Sequence, residues 1–108
     1  MDPDETRRHI ETVSARIRAI APLDLRDPLL RAAETHEREL VPGFGEVWRL
    51  DDDADGYVRR HAGRLRALLL FELAHEGAAT EAMRAAAARG GIADEFSEWE
   101  TRLTRGRS

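Results

Sequence analysis

Residues 57–76 read YVRRHAGRLRALLLFELAHE, and this stretch decides the fold class. Val58, Ala62, Leu65, Leu68, Leu69 and Phe71 recur at helical spacing. Around Leu68–Leu73 the run is apolar on nearly every side, the pattern of a central helix covered by neighbours. The longest uninterrupted apolar run, Ala67–Phe71, has five residues before Glu72, far short of a membrane span. A helix over 57–76 therefore needs partner helices, and the flanking sequence supplies their signals.

On the C-terminal side, Gly77 suits the left-handed position that ends a helix. Thr80 then caps an Ala-rich helix to Arg89, which Gly90 and Gly91 terminate. Asp94 caps a last helix whose Phe96, Trp99 and Leu103 fall at i, i+3 and i+7. On the N-terminal side, Asp2-Pro3 opens a helix as an acidic cap followed by proline in the first turn. Ile10, Val13, Ile17 and Ile20 give it one apolar stripe up to Pro22. Asp27-Pro28 repeats the start signal and predicts a second helix from Pro28 to Val41, with Leu29, Leu30, Ala33, Leu40 and Val41 facing inward. Pro42-Gly43-Phe44-Gly45 ends it. The segment Glu46–Leu50 fits a helical turn or a short extended piece equally well.

Composition agrees. Ala contributes 17 residues and Leu 12, against four Val and four Ile, so helix formers dominate and strand formers are scarce. With 108 residues, the expectation is an all-α, compact bundle of about five helices, one domain over 1–108 with residues 57–76 at its centre.

The same counts close off several chemistries. Without cysteine there is no disulfide, thiolate nucleophile or Cys-type zinc site. A net charge of −4 argues against coating nucleic acid. The absence of Lys, Asn and Gln, which leaves Arg as the only strong base, reads as a GC-rich coding bias rather than selection for Arg contacts. The polar start MDPDETRRHI has no signal-peptide core, and the expected location is the cytoplasm.

The charge is uneven. Residues 1–54 hold 8 Arg against 13 acids, and residues 55–108 hold 9 Arg against 8. The junction carries the first candidate site, Asp51-Asp52-Asp53-Ala54-Asp55-Gly56. Asp51, Asp53 and Asp55 with Gly56 match the opening half of a calcium-binding EF-hand loop. The closing bidentate Glu is replaced by Ala62, and Arg59 places a cation at position 9, so half of the ligand set is missing. The plainer reading is a solvated acidic loop that favours the start of the next helix.

The second candidate is Glu72-Leu73-Ala74-His75, an E-x-x-H that puts two ligand types on one helical face. With Glu37 or Glu34 from the second helix it forms a candidate transition-metal set of Glu37, Glu72 and His75. The plainer reading pairs Glu72 with an arginine such as Arg31 and leaves His75 at the wetter end of the helix.

The third is the C-terminal helix pair as a helix-turn-helix, which the acids Asp94, Glu95, Glu98 and Glu100 oppose. The fourth is Arg31-x4-His36, a spacing used by some helical ribonucleases. His36 also falls on the Leu29, Ala33, Leu40 face, where a structural role is the simpler expectation. His9 and His61 complete the histidines.

Phe44, Trp48, Phe96 and Trp99 are the aromatic candidates for core or interface. The expected function is a non-enzymatic protein-interaction or regulatory module that self-associates or binds a protein partner. Metal binding, of calcium or a transition metal, is the alternative, and an R-x4-H ribonuclease the next.

Overall fold

A computed structural model describes residues 2–42, 44 and 62–105. Among them the fold is all-α, with five α-helices and no strand. Helix α1 runs Pro3–Ile20 and α2 Leu23–Thr35, and a 3-10 turn occupies Arg38–Leu40. Helices α3 (Ala62–Glu76), α4 (Glu81–Arg89) and α5 (Ala93–Arg105) follow.

The caps explain the starts. The Asp2 carboxylate accepts from the Asp4 N–H at 3.2 Å, with Pro3 in the first turn of α1. Thr80 does the same for α4, accepting from the Met83 N–H at 3.2 Å. Helix α5 begins at Ala93, one residue earlier than its expected cap. Asp94 therefore lies inside the first turn, and the Phe96 N–H bonds the Ile92 carbonyl at 2.9 Å.

Helix α3 is the centre, as its sequence requires. Leu65, Ala67–Phe71, Leu73 and Ala74 are all buried, and helices α1, α2, α4 and α5 pack against it. Residues 57–61 of the expected helix lie outside the described residues, as do Trp48, His61 and the Asp51–Asp55 loop. From α1 come Val13, Ile17 and Ile20, and from α5 Phe96, Trp99 and Leu103. Phe96 meets Trp99 edge to face at 5.9 Å. Burying Leu69 or Leu70 completely contributes roughly 1.5–3 kcal/mol each.

Helix α2 departs from expectation at both ends. It starts five residues before Pro28, which sits within it. The Leu25 and Arg26 N–H groups both reach the Pro22 carbonyl, so the first turn is closed upstream of Pro28. It ends at Thr35 because His36 turns left-handed, with φ 58° and ψ 32°. The His36 N–H then closes on the Ala32 and Ala33 carbonyls, and the Glu37 N–H returns to Ala32. Leu40, expected inside, is 43% exposed on the 3-10 turn, while Val41 is buried.

Candidate functional site

The C-terminal ends of α2 and α3 open on one cleft of about 500 Å³, whose opposite wall is the first half of α1. His9 comes from α1, His36 from the end of α2, Arg38 from the 3-10 turn, and Phe71, His75 and Glu76 from α3. His9 lies four residues before Val13 and so continues the buried face of α1 outward. His75 lies four residues after Phe71 and packs against it, ring centroids 4.4 Å apart and planes tilted by 54°. The floor of the cleft is thus the core itself.

Two imidazoles meet there. His9 Nε2 and His75 Nδ1 are 3.3 Å apart, with ring centroids at 5.2 Å and planes tilted by 52°. His75 Nε2 is buried without a partner among the described residues. A second N–H on that ring would be buried and unpaired, and the ring's pKa falls to about 4. Burial is the main cause, followed by the charges of Arg38, His9, His36 and Arg16. His75 is therefore a neutral imidazole at physiological pH, able to accept hydrogen bonds or to ligate.

The nearby charges are mostly spoken for. Arg38 bridges Glu72 at 3.1 Å and stands 5.9 Å over the Phe71 ring. Arg38, not Arg31, is the partner of Glu72. Burial raises the Glu72 pKa, Arg38 lowers it in opposition, and Glu76 adds a smaller upward push. Arg16 reaches across from α1 to cap α3, donating to the Ala74 carbonyl at 2.9 Å and the His75 carbonyl at 3.5 Å.

The sequence-derived candidates separate accordingly. Of the Glu37, Glu72 and His75 set only His75 lines the cleft; Glu72 lies one turn back on α3 and outside the lining, and Glu37 is exposed at the start of the 3-10 turn and also outside it. Among the described residues, no three His, Asp or Glu side chains already converge as a metal ion would require. His36 is exposed at the cleft rather than packed on the Leu29, Ala33 face, and Arg31 is absent from the lining. His75 is half-buried rather than at a wet helix end. In the C-terminal pair, Glu95 bridges Arg66 at 2.9 Å and Glu100 bridges Arg84 at 3.3 Å, while Phe96 and Trp99 enter the core. Those acids serve helix packing.

Sequence reasoning missed the meeting of His9 with His75, a contact across 66 positions. The available signal was His9 at i−4 from Val13, on the edge of the apolar stripe. Protein-family models, curated proteins and solved structures yield no match to this chain.

Proposed function

We propose that this chain is a non-enzymatic regulatory module that reversibly binds a divalent transition metal in the histidine cleft. The observation behind this reading is the His9–His75 pair. The nitrogen–nitrogen separation of 3.3 Å is at the long end for a hydrogen bond, just beyond the usual range of about 2.7–3.2 Å for N–H···O pairs. Two imidazole nitrogens each bonded at about 2.0–2.1 Å to one tetrahedral zinc ion lie about 3.3–3.4 Å apart. The pair has the spacing of two ligands to a common ion.

The cleft carries charges of both signs: Arg38 and Arg16 stand near enough to lower the His75 pKa, and negative groups face it as well. Two helix C-termini, each equivalent to roughly half a negative charge, face the cleft. Glu76 adds an acid, and Arg38 is offset by Glu72. Imidazoles select borderline ions such as zinc, cobalt and nickel rather than calcium. The chemistry does not favour acid–base catalysis, because a His75 pKa of about 4 lies well below the near-neutral value that suits a general acid or base. Among the described residues His75 Nε2 has no acceptor; loss of such an outer-shell partner typically costs about 10–100-fold in metal affinity, so the proposed site is an exchangeable one.

Isothermal titration of the whole chain with zinc, nickel and calcium, reversed with EDTA, tests the reading. Zinc and nickel are expected to bind with micromolar affinity, and binding is expected to vanish in a His9→Ala/His75→Leu double variant. Binding that survives in that variant, or no zinc or nickel binding at all, sinks it. Calcium binding alone would return attention to Asp51, Asp53 and Asp55. The self-association reading has one observation in support, the exposure of Leu23 at 79% and Leu40 at 43%. Light scattering with and without zinc tests it, and a strict monomer in both removes it.

A further inference from the structure

Two imidazoles make an incomplete site, and the cleft holds a third. We propose that His36 is the third protein ligand, swinging from the end of α2 onto an ion held by His9 and His75. This rests on the metal-binding reading and names the residue that completes the site.

Three observations carry it. First, His36 lines the same cleft as His9 and His75, from a different element. Second, its ring is exposed and makes no hydrogen bond to another described residue, so nothing described holds it away from the ion. Third, His36 is the only non-glycine residue with positive φ among those described. Gly and Asn are the usual residues at such a helix end, and a histidine there accepts backbone strain that glycine would relieve. Strained backbone at a cleft is the pattern of a residue kept for its side chain. The left-handed turn at His36 redirects the chain just after the last residue of α2, and the imidazole lines the cleft. Glu72 is less suited to be the third ligand, since its carboxylate is engaged by Arg38.

An ion so bound joins α1, the end of α2 and the end of α3. The expected consequence is that zinc slows amide exchange at His36–Val41, the turn between α2 and the acidic segment.

The test is a His36→Gly variant, because its two effects have opposite signs. Glycine relieves the positive φ, so the metal-free melting temperature is expected to stay the same or rise. Zinc affinity is expected to fall at least about tenfold, since even loss of an outer-shell partner costs about 10–100-fold. With cobalt as the probe, the visible spectrum of the variant is expected to weaken and shift. Added imidazole, filling the vacated position, is expected to restore it. Equal zinc affinity and an unchanged cobalt spectrum in wild type and variant overturn the assignment of His36 while leaving the metal reading intact. Failure of both proteins to bind zinc, cobalt or nickel overturns the metal reading and this inference together.

Discussion

Two clefts among the described residues are of nearly equal size, about 500 Å³ beside His75 and about 530 Å³ beside Arg84. In the groove between α4 and α5, polar side chains satisfy one another locally. Thr101 donates to the Ser97 carbonyl and Thr104 to the Glu100 carbonyl, both at 2.9 Å, and Arg84 pairs with Glu100. In the histidine cleft, His75 Nε2 has no described partner, a neutral ring sits among cations, and a non-glycine residue holds positive φ. Volume does not distinguish the two. What differs is whether the polar atoms have completed their bonding and whether the wall is part of the core.

The largest expected effect lies in that wall. Phe71 is 2% exposed and serves both core and cleft, so Phe71→Ala should cost about 3–5 kcal/mol by chemical denaturation. A cost below about 1 kcal/mol would show that the cleft is superficial after all. The second effect is on the ligand. At a zinc concentration 100 times the dissociation constant, wild type should gain about 2.7 kcal/mol, on the order of 10 °C in Tm, and His9→Ala should lose that gain. Thr101→Ala, in the other groove, should keep it.

Third comes pH. The unfolded chain carries an ordinary histidine, whereas folded His75 has its pKa lowered to about 4. Between about pH 6.5 and 4 the unfolded state binds more protons, so metal-free stability should fall with falling pH across that window and level off below it. The raised Glu72 pKa acts in the opposite sense, so the useful measurement is the difference between wild type and His75→Leu. A difference that stays flat from pH 7 to 4 contradicts the neutral, half-buried ring. Fourth, Arg38→Gln removes the cation beside the cleft and releases Glu72, three residues before His75. Zinc affinity should rise a few-fold, by less than about 1 kcal/mol; a fall would mean that Arg38 supports the site. Smallest is Arg84→Ala, in the satisfied groove. The pair is partly exposed, Arg84 at 57% and Glu100 at 27%, and should contribute no more than about 0.5 kcal/mol by thermal melt.

The same contrast explains what the sequence made legible. Local signals worked wherever the structure is local: Asp2-Pro3 and Thr80 cap their helices, and the apolar run of α3 is buried on all sides. Asp27-Pro28 misled because a proline after the first turn costs only one helical hydrogen bond, and Leu29, Ala32 and Ala33 repay it by burial. The end of α2 was hidden because no glycine marks it. The clue was a lapse in the stripe, with His36 and Glu37 where the face after Ala33 would need apolar residues. E-x-x-H drew attention to Glu72 and His75 but not to the residues they meet. Their partners, His9 and Arg38, are reached only through tertiary packing, which periodicity does not encode.

The packing order of the helices has a consequence for synthesis. Helix α5 contacts α1, α3 and α4, and it supplies Phe96, Trp99 and Leu103 to the common core. As the chain leaves a ribosome, α3 emerges with one side still lacking its cover until residues 93–105 follow. A nascent chain stalled before Ala93 would display Leu and Phe side chains to chaperones and proteases. Docking of residues 93–105 then covers that side of α3 with Phe96, Trp99 and Leu103.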